Sequence, residues 1–219
     1  MTLEAIRARI AAAQIPAAPA ARLLAVSKTR PASAVRALAA CGQRHFGENY
    51  VQEALAKQRE LADLALQWHL IGPLQSNKCR EVARHFDWLE SLDRAKLVPL
   101  LDAARPAALP PLNVLIQVDI DDEAGKSGCT PDQAAGLAHL VAQAPRLALR
   151  GLMAIPAPAP DRTQRADAFR RMRILFDALR AQHSGIDTLS MGMSDDFELA
   201  IACGATEVRV GSALFGPRR

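Results

Sequence analysis

The chain has 219 residues, half of them hydrophobic and 23% charged, with a formal net charge of +4. That length and balance support one buried core, taken as a single domain over residues 1–219, and exclude a disordered or fibrous chain. Aromatic residues make up only 4% and form no stripe interleaved with basic residues, which argues against a nucleic-acid partner.

No run approaches the roughly 20 apolar residues needed to cross a bilayer, so no membrane association is expected. The opening residues Met1–Gln14 carry Arg7 and Arg9 among Leu3, Ile6 and Ile10. They read as a short amphipathic helix rather than a secretory signal, which makes the cytoplasm the expected location. The first strand is predicted at Leu23–Ser27, ending in Lys28, and a helix follows over Pro31–Ala40. Strand two, Arg44–Gly47, runs into Glu48-Asn49-Tyr50 and a helix over Tyr50–Leu64. Strand three, Gln67–Ile71, meets the polar loop Gly72–Lys78 and a helix over Asn77–His85. Strand four is Asp87–Ser91, followed by a helix at Arg94–Ala104, and strand five is Leu112–Asp119. Beyond the loop Gly125-Lys126-Ser127-Gly128, Thr130 and Pro131 open a helix to Ala144. Strand six, Leu147–Ile155, precedes a helix at Thr163–Gln182. Strand seven, Thr188–Met191, precedes a helix at Asp195–Cys203 that Gly204 stops, and strand eight is Glu207–Val210. Eight strands alternating with helices predict an α/β fold, a (β/α)8 TIM-type barrel with an extra N-terminal helix. Cys41, Cys79, Cys129 and Cys203 lack metal or dithiol spacing and read as buried reduced thiols.

In such a barrel, function sits where strands end and helices begin, and phosphate commonly binds the loops after strands seven and eight. Lys28 leaves a buried strand at that mouth, where partial desolvation makes an amine a better nucleophile toward an aldehyde. Taken alone, a solvated lysine is the simpler reading. Gly192 and Gly211 permit close backbone approach, while Ser194 and Ser212 offer hydroxyls, with Ser194 expected to open a helix. Together they read as a phosphate cup. Arg209 lies between Val208 and Val210, so alternation sends its guanidinium into the barrel if the valines face the helices. A buried cation requires a partner, and either a carboxylate or a cofactor ring nitrogen would serve.

These segments together resemble the pyridoxal phosphate homeostasis protein family, of YggS/PROSC type. The resemblance is carried by Leu24–Thr29, Phe46–Glu53, Trp68–Lys78, Lys126–Gly128, Gly151–Pro156, Leu189–Asp196 and Val208–Gly216. It implies a barrel like the alanine racemase N-terminal domain and pyridoxal 5'-phosphate (PLP) held as a Schiff base on Lys28. It further implies phosphate contacts at Ser194, Gly211 and Ser212, a pyridine-nitrogen contact at Arg209 and a supporting polar contact at Asn49. Lys126 is the alternative lysine for PLP, with a solvated loop residue as the equal reading. The implied role is buffering of vitamin B6 and amino-acid balance without turnover, with PLP-dependent apo-enzymes as possible recipients.

The rival is a PLP-dependent amino-acid racemase, which needs an acid/base group on each cofactor face. Tyr50, the only tyrosine, reads better as a helix-start packing residue. The few residues beyond strand eight offer no second domain to close such a site. A more distant rival is a barrel enzyme acting on a phosphorylated sugar. No apolar stripe remains beyond those needed to wrap the barrel, so the expected state is a monomer.

Overall fold

The computed structural model describes residues 1–16, 18–123, 125, 127–157 and 161–216; the prediction for Lys126 lies outside them. In chain order the elements are α1 (Leu3–Ala12), β1 (Arg22–Val26), α2 (Ala32–Ala40), β2 (His45–Glu48), α3 (Val51–Glu60) and β3 (Gln67–Leu70). A 3-10 turn at Ser76–Lys78 leads into α4 (Cys79–His85), then β4 (Trp88–Leu92), α5 (Leu97–Ala104), β5 (Leu112–Val118), α6 (Pro131–Ala142) and β6 (Leu147–Ala154). The chain ends with α7 (Arg162–Arg180), β7 (Thr188–Ser190), α8 (Phe197–Ala202), β8 (Glu207–Val210) and α9 (Ser212–Phe215).

The strands form a closed barrel in sequential order. The closure is parallel, with Leu24 opposite Arg209 on one side of β1 and Ala25 opposite Phe46 on the other. This is the predicted eight-stranded barrel, with strand boundaries displaced by a residue or so. Its two-faced burial follows from strand alternation. Leu23 and Ala25 join Phe46, Leu70, Leu89, Ile116, Phe169 and Phe176 in the layer between strands and helices. Each of the larger side chains among them, fully removed from water, contributes roughly 1.5–3 kcal/mol. Inside the barrel, Trp88, Leu115 and Met153 form a separate small cluster, and the remaining inward positions are unusually polar.

Local chemistry explains the element ends. Thr130 and Gln133 form a reciprocal capping box with Pro131 in the first turn of α6. Gly204, at φ +96°, stops α8 after Cys203. Gly151 sits at φ +144° in β6, where a Cβ would run into the Thr188 carbonyl. Helix α1 buries Leu3, Ile6 and Ile10, and Arg9 bridges to Glu198 at 2.8 Å while stacking over Phe197.

Some expectations are corrected. Helix α8 begins at Phe197 with Asp196 as its cap, so Ser194 does not open it. Asp196 instead folds back to accept the Met193 N–H at 2.7 Å. Pro31 caps α2 rather than starting it. All four cysteines are free, but only Cys79 and Cys129 are buried, while Cys41 is exposed beyond the end of α2. Tyr50 is 60% exposed, so it does not pack the start of α3.

Candidate functional site

Lys28, Asn49, Ser194, Arg209, Gly211 and Ser212 all line one cavity of about 250 Å³ at the C-terminal mouth of the barrel. The six positions come from β1, β2, β7 and β8 or the loops that follow them. Val26, Ile71 and Ile155 supply apolar wall, and Thr29, Arg30 and Asp195 add polar groups.

The turn that carries Lys28 is held from both sides by side chains that the sequence reading did not single out. The buried Lys57 ammonium on α3 donates to the Ser27 carbonyl at 2.6 Å, to Glu48 Oε1 at 2.7 Å and to Glu53 Oε1 at 2.6 Å. The Ser27 hydroxyl donates to Glu48 Oε1 at 2.6 Å, and the Thr29 N–H donates to Glu53 Oε1 at 2.6 Å. Both peptide flanks of Lys28 are therefore tied to one charged cluster, which holds Thr29 at φ +63°, a conformation costly for a β-branched residue. Burial pushes the Glu48 carboxyl up from its ordinary value, against the opposing pull of Lys57 and Ser27. Asn49 is placed by close packing: a Cβ on Gly72 would lie 2.7 Å from the Asn49 Cα.

The loops after β7 and β8 converge on Ser194. Its Oγ accepts the N–H groups of Gly211 and Ala213 at 3.4 and 3.5 Å, longer than the usual 2.7–3.2 Å. Weakly engaged backbone donors beside two hydroxyls form a ready cradle for an anion's oxygens. Gly192 does not line the cavity; at φ +90° with a notional Cβ 2.5 Å from that of Ala200, it lets the loop after β7 pack closely on α8 instead. The Cβ of a residue at Gly211 would come within 3.3 Å of Val26.

Arg209 points inward as strand alternation requires, and it is 3% exposed. Its Nη1 donates to Ser190 Oγ and its Nη2 to the Ala154 carbonyl, both at 2.8 Å. Ser190 passes the contact on, donating to Glu90 Oε2 at 2.8 Å. Below lies a polar chain inside the barrel. His69 Nδ1 meets Glu90 Oε1 at 2.7 Å, His45 Nδ1 meets His69 Nε2 at 3.0 Å, and Arg22 Nε donates to Glu207 Oε2 at 2.7 Å. Burial pushes His69 down to about 3 and His45 down to about 4, so both rings are neutral at ordinary pH. His69 Nδ1–H then donates to Glu90, and His69 Nε2 accepts from His45, a tautomer assigned from the hydrogen-bond pattern. Donor atoms of His69, Glu90 and Glu207 lie within 4.8 Å of one another, at metal-ligand spacing. Arg22 and Arg209 already supply positive charge on both sides, which opposes a dication there.

Of this polar chain, sequence alone points to Arg209 and not to Ser190, Glu90, His69 or Glu207. The legible signal was the recurrence of polar residues at inward positions of strands otherwise rich in apolar ones. Lys57 was legible as a lysine four residues after Glu53 on one helix face, although nothing in that spacing says that it is buried.

A barrel with its polar groups at this mouth defines a class, and the alanine racemase N-terminal domain family model matches residues 1–219. Alanine racemase from Corynebacterium glutamicum shares the fold at a TM-score of 0.68 and 23% identity, covering 100% of this chain and 62% of that one. The chain belongs to the pyridoxal phosphate homeostasis protein family. It is 59% identical over 196 residues to the Pseudomonas aeruginosa pyridoxal phosphate homeostasis protein, spanning 90% of this chain and 84% of that protein. It is 54% identical over 199 residues to the Escherichia coli K12 protein of the same name, spanning 90% and 85%. PipY of Synechococcus elongatus, in a structure with PLP bound, aligns at a TM-score of 0.83 and 41% identity, covering 96% of this chain and all of that one.

Proposed function

We propose that this chain binds PLP as a Schiff base on Lys28 and buffers the cofactor, sustaining vitamin B6 and amino-acid balance without turnover of its own. The observation that carries the reading is the convergence of Lys28, the Ser194–Gly211–Ser212 cradle and the Arg209 guanidinium on one cavity. The donor set fits the cofactor part by part: an amine for its aldehyde, backbone and hydroxyl donors for its phosphate, and a buried cation for its ring nitrogen. When bound, PLP supplies an aldehyde that an amine captures reversibly.

The protein's residues do the rest. The Lys57 cluster fixes the backbone on both sides of Lys28. Ser194, Ser212 and the Gly211 N–H bind the phosphate, Asn49 gives a supporting polar contact, and Arg209 faces the pyridine nitrogen and keeps it unprotonated. An unprotonated pyridine is a poor electron sink, which favours holding over chemistry. A racemase reading needs an acid/base group on the second face, and Tyr50, 60% exposed, is not among the described residues lining the cavity. We further propose that the chain acts as a single-domain monomer in the cytoplasm and passes PLP to apo-enzymes. Among the described residues no helix is long and apolar enough to cross a membrane.

The test is a PLP titration followed by visible absorption, with borohydride as the trap. The parent chain should develop a visible band that borohydride bleaches, and Lys28→Ala should develop none. A full band in Lys28→Ala overturns the assignment.

A further inference from the structure

We infer that Glu90 is a positioning residue for Arg209, acting through Ser190, and that it does so as one half of a carboxyl pair sharing a single proton with Glu207 inside the barrel. The inference deepens the proposed function and rests on its reading that Arg209 faces the cofactor ring.

The geometry begins with an atom that lacks a partner. Glu207 is wholly buried, and its Oε2 is satisfied by Arg22 at 2.7 Å, yet its Oε1 has no hydrogen-bond partner. A buried carboxylate oxygen left bare is costly. The Glu90 carboxyl, also wholly buried, has an oxygen within 4.8 Å of one of Glu207's, and its two oxygens already accept from His69 and Ser190. Two acceptors face to face are stable only if a hydrogen lies between them. A proton on Glu207 completes the arrangement: Oε1–H donates to Glu90, Oε2 still accepts from Arg22, and Glu90 keeps its negative charge. Burial pushes both carboxyls up, and their contact pulls them apart, with Glu90 raising Glu207 further while Glu207 lowers Glu90.

The surroundings support a proton rather than an ion. Arg22 from β1 and Arg209 from β8 flank the pair, His69 from β3 and His45 from β2 are neutral, and β7 contributes the Ser190 hydroxyl. Strands β5 and β6 contribute apolar Leu115 and Met153, and Arg22 and Arg150 lie over the Trp88 ring at 4.5 and 5.3 Å. Asp196 adds a more distant negative charge toward Arg209. With one proton, the pair holds one negative charge, and that charge sits on Glu90, one hydroxyl away from the guanidinium. Ser190 accepts from Arg209 and donates to Glu90, so the guanidinium's seat depends on that charge. The half-buried His45, linked to Glu90 through His69, gives the pair a route for proton exchange that bypasses the cofactor.

The experiment has two arms on the full chain. Infrared spectroscopy of the cofactor-free protein should show a protonated carboxylic-acid carbonyl band persisting above neutral pH, lost in both Glu90→Gln and Glu207→Gln. In the PLP-loaded protein, Glu90→Gln moves the surviving charge to Glu207 and should shift the visible band and its pH profile. Glu207→Gln keeps the charge on Glu90 and should shift them less. Absence of the infrared band in the parent overturns the shared proton, and this measurement needs no variant to fold. One equivalent of tightly bound divalent metal, lost in Glu207→Gln, overturns it as well. Equal shifts from the two variants overturn the positioning role. Arg209→Lys separates the layers: if it leaves the visible band unchanged, the ring contact fails, whereas the infrared result stands by itself.

Discussion

Replacing Lys57 by Met removes the ammonium of a side chain that is 6% exposed and leaves its three acceptors with different fates. Glu53, with 28% of its side chain exposed, turns to water at little cost. Glu48, with none exposed, and the Ser27 carbonyl do not have that escape. Breaking one side of a buried ion pair costs about 3–5 kcal/mol, and we expect Lys57→Met to fall in that range at neutral pH. Glu48 limits the loss by taking a proton, which fixes the sign of the pH dependence. Its folded value is already raised by burial and rises further without Lys57, so the folded state binds more protons than the unfolded state and stability falls as pH rises. The deficit is therefore smallest at acid pH and grows as pH climbs through the folded value of Glu48. Urea unfolding of the parent and variant across pH measures it, and Glu48→Gln added to Lys57→Met should recover part of the loss. A deficit below about 1 kcal/mol at every pH would refute the argument that a buried Glu48 depends on Lys57.

The other expectations concern the cradle, the backbone and the barrel interior. Ser194→Ala with Ser212→Ala should weaken PLP retention, each charge-assisted bond contributing about 1.5–3 kcal/mol without strict additivity, as measured by equilibrium dialysis; unaltered retention places the phosphate elsewhere. Gly192→Ala, forced to φ +90° with its Cβ 2.5 Å from Ala200, should cost about 1–3 kcal/mol in thermal unfolding. His45 and His69 are pushed down to about 4 and about 3 from 6.5. The unfolded chain thus binds more protons over that span, and stability should fall as pH drops from about 6.5 through the two folded values. Urea midpoints in His69→Leu should show a shallower acid decline.

The fold was legible because parallel strands buried on both faces read as short apolar runs between longer helical segments. Strand β8 was read to the residue, since Gly204 and Gly211 bracket it. Strand β1 begins at Arg22 rather than Leu23, because that arginine turns inward to Glu207, a partner 185 positions away that no local pattern announces. Helix α9 is four residues long and has no periodicity to read. The mouth of the site was legible because polar residues stand just beyond strand ends at Lys28, Asn49, Ser194 and Ser212. The layers that hold those residues were not. Lys57 looks like any solvated helix lysine, and Glu90 and His69 gain meaning only when closure brings β3, β4, β7 and β8 around one axis.

The most direct test of the account is to load the chain with PLP, reduce it with borohydride and map the modified peptide by mass spectrometry. One pyridoxyl adduct is expected, on Lys28. An adduct on Lys126 or any other lysine, with Lys28 unmodified, would contradict it.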